Sequence, residues 1–94
     1  MAYQTVNPAT NQLIKEYPSH TDADVEAALK AADALYHSDW AKGDINQRLP
    51  VLRKLADLID ERTEDLARIA SKEMGKLIEQ SRGEVKLCAQ IARY

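Results

Sequence analysis

The chain has 94 residues, of which 45% are hydrophobic and 30% charged, the ordinary range for a soluble globular protein and enough for one small domain. Basic and acidic residues nearly balance at a net charge of -2, with the signs interleaved through Arg62, Glu64, Asp65, Arg68, Lys72 and Glu73, so no basic footprint for nucleic acid exists. No apolar run approaches the roughly 18 residues of a membrane span, and the single cysteine, Cys88, cannot form an intramolecular disulfide; the expected setting is the cytoplasm, with neither nucleic acid nor membrane as partner.

The first expected element is a β-hairpin over Tyr3 to Tyr17, because the β-compatible runs "YQTV" and "LIKEY" flank "NPATNQ", whose Asn-Pro and Thr-Asn favour a turn. A lone hairpin is hardly stable in water, so this one must lie on something else. After "PSH", Thr21 is a candidate cap with Asp24 three residues on, and Val25, Ala28, Leu29, Ala32 and Tyr36 share a helical face. The first helix is therefore expected over about Asp22 to His37. His20 and His37 read as helix-end residues, and Trp40 as a core plug between helices one and two.

Asp44 with Gln47 is a second N-cap signature, and Leu52, Leu55, Ala56 and Ile59 supply the face of helix two. Pro50 lacks the N–H of an interior turn, which predicts kinked or 3-10 first turns and regular helix from Val51. Leu49, Val51 and Leu58 widen the face, so this helix should pack against two neighbours. Thr63 is the expected cap of a third helix whose first turn carries Glu64 and Asp65, the acids that a positive helix end favours. Its expected buried face is Leu66, Ile69, Ala70 and Met74. Gly75 stands where helices commonly end in a left-handed residue, and Leu77 opens a fourth run through Ile78, Ser81, Val85, Cys88, Ala89 and Ala92. Gly83 lies inside that run, where glycine costs about 1 kcal/mol against alanine. The close approach of another backbone is the expected reason.

The stretch "SKEMGKLIEQSRGEV" (71–85) invites three chemical readings. A phosphate loop would need glycine five residues before the Gly75-Lys76 pair, where Ala70 stands, and a Ser or Thr after the lysine, where Leu77 stands. Glu73 and Glu84 could form an acid/base pair, but two carboxylates on helices are more often ion-paired at a joint. His20, His37 and Cys88 belong to no metal-ligand spacing, and the place of Cys88 on an apolar stripe predicts a buried, inert thiol rather than a nucleophile. The stretch reads most simply as a helix-to-helix joint. No catalytic, cofactor-binding or metal-binding residue is assigned within 1–94.

Three separated blocks, "NPATNQLI", "DVEAALKAADALYHSDW" and "RLPVLRKLADLIDERTEDLARIASKEMGK", resemble in order the N-terminus of NAD(P)-dependent aldehyde dehydrogenases, and the likeness runs over all 94 residues. The segment "EMGKLIEQSRGEV" is most similar to the succinate-semialdehyde dehydrogenase branch. The resemblance implies a mainly α fold, an N-terminal β-hairpin plus about four helices, forming the helical layer of an α/β enzyme. Residues 1–18 would be its hairpin segment and 19–94 its helical segment, together part of a larger nucleotide-binding domain. It further implies oxidation of an aldehyde to an acid through a cysteine thiohemiacetal, hydride transfer to NAD or NADP, and thioester hydrolysis with a glutamate base. The family's nucleophile, base, oxyanion-hole asparagine and principal βαβ units lie further along a several-hundred-residue chain. Cys88 does not match the nucleophile's motif, nor Glu73 or Glu84 the base's, so residues 1–94 alone are expected to bind no cofactor and to be inactive.

"CAQIARY" carries no helix stop signal, and the remainder of a parent chain is the first expected partner. The helix faces are too wide to satisfy one another, which predicts that the isolated chain forms a homo-oligomer, a two-fold dimer burying helix two and part of helix four. Gly83 would mark a close-packed crossing within or between copies. The alternative from another class is an independent helical protein-interaction module. A reading frame running past Tyr94 into a strand and a glycine-containing βαβ unit would discriminate the two.

Overall fold

The computed structural model describes residues 3–94. Strands β1 (Tyr3–Val6) and β2 (Leu13–Tyr17) pair antiparallel with Tyr3 opposite Tyr17 and Thr5 opposite Lys15, and the register shifts between Thr5 and Val6. Short polar side chains build the turn locally. Asn7 Oδ1 accepts from the Ala9 N–H at 2.9 Å, Thr10 Oγ1 accepts from the Gln12 N–H at 3.3 Å, and Asn11 takes a left-handed φ of 58°, which asparagine tolerates. The hairpin rests on the helical part of the chain, with β1 lying against α4 (Thr63–Met74).

Helix α1 (Asp22–Tyr36) opens with the expected capping box: Thr21 Oγ1 accepts from the Asp24 N–H at 3.1 Å while Asp24 Oδ2 accepts from the Thr21 N–H at 2.8 Å. Its apolar stripe, however, buries nothing, and its main neighbour is a short helix, α2 (Asp39–Lys42), that periodicity did not reveal. Ser38 caps α2 by accepting from the Trp40 N–H. Trp40 is only half-buried there, so it is part of a surface turn and not a core plug.

Asp44 caps as expected, and the first turn it caps is 3-10, as Pro50 predicted: Ile45–Gln47. Helix α3 (Leu49–Glu61) follows and begins two residues earlier than the sequence suggested. Pro50 falls in its first turn, where the missing N–H would have had no intrahelical partner anyway. Helix α4 ends at Gly75, which has φ 72° and ψ 18°, and helix α5 (Ile78–Arg93) runs back alongside. The main helix contacts are α3 on α5 and α4 on α5, and α3 also touches α4, so α3 does meet two neighbours.

The core is made of small side chains: Ala56, Ala67, Val85 and Ala89, with Ser81 fully buried among them. On α4 the buried residue is Ala67, while the expected face of Leu66, Ile69 and Met74 is exposed. Cys88 is exposed too, contrary to the buried thiol expected. Gly83 has nothing within 4 Å of where a Cβ would be, so among the described residues no other backbone approaches it. These differences share one cause. The helices lie side by side, so each buries only the narrow edge that faces its neighbour and leaves the rest of its apolar stripe outside.

The dimensions make the same point. The molecule measures 48 × 35 × 14 Å with a radius of gyration of 17.5 Å, against about 12 to 13 Å for a compact domain of this length. Its thickness is little more than one helix with side chains, which is about 10 to 12 Å. Its accessible surface is 7852 Å², where a compact monomer of this mass would show about 5,500 Å². The architecture is thus a single mainly helical layer, with five α-helices where about four were expected, carrying a two-stranded hairpin on α4.

Candidate functional site

The stretch singled out in the sequence is the α4–α5 joint. Gly75 closes α4 with its N–H on the Ser71 carbonyl at 2.9 Å, and a Cβ at this position would lie 3.1 Å from Pro8 Cγ in the hairpin turn. Beyond the joint, the Lys76 ammonium bonds the Glu84 carboxylate, one turn and a half into α5. Glu84 is therefore an ion-pair partner, while Glu73, partly buried on α4, has no ion pair among the described residues. Inside the joint, Ser71 Oγ and Ser81 Oγ share a hydrogen bond of 3.0 Å.

A second clamp holds the same two helices. Arg82 reaches Glu64 with two guanidinium nitrogens at 2.7 and 3.1 Å and also bonds Glu79. The hydrogen bonds from Arg82 hold the Glu64 carboxyl below its ordinary pKa of 4.5, with the guanidinium charge adding to the effect. At the far end of α5, Arg93 spans Asp57 at 2.8 Å and Asp60 at 2.6 Å on α3. Partners 18 and 36 residues apart in sequence leave no local signal, so these clamps could not be read from spacing. Ser81 did leave one, as a small polar residue on an otherwise apolar stripe.

Cys88 opens into a groove of about 570 Å³ between α3 and α5, lined mainly by Leu49, Leu52, Leu55, Ile59 and Ile91. Activating the thiol would take a base or a cationic neighbour. Arg53 and Arg93 line the same groove, Arg93 already paired with Asp57 and Asp60, but the histidines stand elsewhere, His20 beside Asp24 at the start of α1 and His37 beside Asp33 at its end, as their helix-end reading predicted. Among the described residues no three histidine, cysteine, aspartate or glutamate side chains gather where a metal ion could be held.

A nicotinamide dinucleotide is the cofactor that the sequence resemblance implies, and these residues do not fit one. Such a site uses parallel strands with a glycine-rich turn opening onto a helix N-terminus. Here the sheet of the described residues is an antiparallel pair, Gly75 closes a helix against Pro8, and Gly83 is inside α5. The arrangement is that of a structural layer, clamped by ion pairs and open along apolar faces.

The family model of the aldehyde dehydrogenase family matches residues 1–94, and the chain belongs to that family. Among curated relatives, it is 37% identical over 92 residues to the succinate-semialdehyde dehydrogenase [NADP(+)] of Deinococcus radiodurans, covering 98% of this chain and 19% of that protein. It is 34% identical over 90 residues to the succinate semialdehyde dehydrogenase [NAD(P)+] Sad of Escherichia coli. Among solved structures, it superposes at a TM-score of 0.92 and 37% identity on succinic semialdehyde dehydrogenase from Streptococcus pyogenes in complex with NADP+, covering 99% of this chain and 20% of that one. The chain spans about a fifth of the length of the relatives it matches, as an N-terminal segment of the family. Among the described residues no helix is long and apolar enough to cross a membrane.

Proposed function

We propose that this chain is the N-terminal part of an enzyme that oxidises succinate semialdehyde to the acid with NAD or NADP. Within that enzyme, residues 1–18 and 19–94 form a hairpin and a helical layer that belong to a larger nucleotide-binding domain. The reading is carried by one observation, the 37% identity to a succinate-semialdehyde dehydrogenase across nearly the whole chain. The layer's chemistry supports the division of labour. Arg82, Arg93 and Lys76 are engaged in ion pairs that tie its helices, and its histidines stand at the ends of α1, away from its one thiol, so we assign the nucleophile, the base and the nicotinamide site to the rest of the parent protein. The sole cysteine, an exposed thiol, suits a reducing cytoplasm.

The test is to assay the intact parent protein with succinate semialdehyde and each nicotinamide cofactor, following the reduced product. Turnover is expected from the parent and none from the 94-residue chain. Turnover with a different aldehyde alone would overturn the substrate, and turnover by the 94-residue chain would overturn the assignment of catalysis to the remainder.

A further inference from the structure

We propose that Arg48, at the start of α3, is held in the parent protein by an aspartate or glutamate side chain from beyond residue 94, so that one ion pair ties the helical layer to the rest of the domain. Among the described residues, two buried side-chain atoms have no hydrogen-bond partner, Thr5 Oγ1 and Arg48 Nε. The first belongs to a neutral hydroxyl. The second belongs to a permanent cation, whose burial without a counter-charge is far more costly. Arg48 is half-buried, whereas Arg53, Arg62 and Arg68 are exposed and leave their charge to water. The other cations that tie elements of the layer together each end on a carboxylate: Lys76 on Glu84, Arg82 on Glu64, and Arg93 on Asp57 and Asp60. Arg48 does not.

Its surroundings supply no anion. Asp44, the nearest acid in the sequence, is engaged in the 3-10 turn, where its Oδ1 accepts from the Asn46 N–H at 2.9 Å, and that backbone bond holds the carboxyl below its ordinary pKa. The first turn of α3 carries no acidic residue, and the partial positive charge of a helix start increases the demand for an anion. Met1 and Ala2, outside the described residues, have no side-chain carboxylate. The partner therefore comes from elsewhere in the parent. Leu49, next in the chain, lines the groove between α3 and α5, and the chain spans about a fifth of the length of its relatives, so the surface beside Arg48 is one that the remainder adjoins. A backbone carbonyl would satisfy Nε and leave the charge uncompensated. A carboxylate does both, and its two oxygens match the guanidinium fork. The inference rests on the reading of the chain as the N-terminal part of a longer enzyme and not on the substrate of that enzyme.

The structure of the intact parent is the first test, since no variant has to fold for it. Arg48 guanidinium nitrogens are expected within about 3 Å of an aspartate or glutamate oxygen from beyond residue 94. A guanidinium left to water, or bonded instead to a backbone carbonyl, to the cofactor or to another subunit, overturns the proposal. Thermal melting of the parent beside its Arg48→Met and Arg48→Lys variants gives an independent sign. With the pair in place, Arg48→Met strands a carboxylate and lowers the melting temperature, while Arg48→Lys, which keeps the charge, lowers it less. An unchanged or raised melting temperature for Arg48→Met is the result for a cation with no partner, and it too overturns the proposal. Neither readout depends on turnover, so a parent that oxidises a different aldehyde overturns the substrate alone.

Discussion

Pro8, in the turn of the hairpin, sits directly over Gly75, the left-handed residue that ends α4: a Cβ at Gly75 would come within 3.1 Å of Pro8 Cγ. Two demands thus meet on one residue. The backbone at φ 72° disfavours a side chain, and the hairpin needs the space that a side chain would fill. The joint and the seat of the hairpin are the same feature, which answers what the interrupted stretch 71–85 is for.

Gly75→Ala should therefore destabilise the parent enzyme by about 1 to 2 kcal/mol from the backbone, with its Cβ already tight against Pro8, and Gly75→Val by more, since its branches add to that contact and a β-branched residue suits positive φ least. A double-mutant cycle with Pro8→Ala separates the two causes. Thermal melting should show a coupling between Gly75→Val and Pro8→Ala, because the smaller residue relieves the contact but not the positive φ. Strict additivity would show that the hairpin moves away freely and only the backbone matters.

The Ser71–Ser81 hydrogen bond makes a second, opposite kind of prediction. Ser81 is fully buried, and Ser71 is its hydrogen-bond partner at 3.0 Å across α4 and α5. Ser71→Ala should cost about 1 to 3 kcal/mol by leaving a buried hydroxyl without a partner. Ser71→Ala with Ser81→Ala should cost less than the two single changes added, since the double variant leaves nothing unsatisfied. Denaturant midpoints of the four proteins check the sign of the coupling.

Acid should weaken the α4–α5 clamp. The pKa of Glu64 is lowered in the folded chain chiefly by its hydrogen bonds from Arg82, so the unfolded chain takes up a proton first as pH falls. The stability from this pair is fully present above the ordinary value of 4.5 and is lost as pH drops through the lower folded value. Arg82→Gln should flatten that acid limb while leaving the neutral side unchanged in slope. Because both partners reach solvent, added salt should shrink the difference between the two proteins. Urea midpoints taken from neutral pH downward test this, and identical acid limbs would remove Arg82 as the cause.

What the sequence made legible was whatever neighbouring residues decide between themselves. The Thr21–Asp24 box, the Asn7 and Asn11 turn and the left-handed Gly75 are local, and each stands where it was read. Burial was misread because it depends on what faces a helix. Periodicity correctly marked Leu66, Ile69, Met74 and Cys88 as one-sided, yet a single layer leaves those sides open. The same limit applied to the site: the clamps of Arg82 and Arg93 join residues that only the packing brings together. The family, by contrast, was legible from ordered blocks of sequence, which need no knowledge of what covers them.

Thr63 gives the sharpest separation between a sequence reading and the structure. As a cap of α4, its oxygen would accept a hydrogen bond from the helix's own N–H groups, and aspartate would serve as well as threonine. In the structure Thr63 is the first residue of α4, and its hydroxyl instead donates backward, to the Asp60 carbonyl at 2.7 Å and the Ile59 carbonyl at 3.3 Å at the end of α3. A donor is required there, and a carboxylate has none. Thr63→Asp should therefore lose about 1 kcal/mol, offset only in part by the favourable field at the start of α4. Thr63→Ser, which keeps the donor, should stay close to the unmutated protein. Thermal melting of these two variants decides the matter: Thr63→Asp as stable as Thr63→Ser would return the residue to the role of an N-cap.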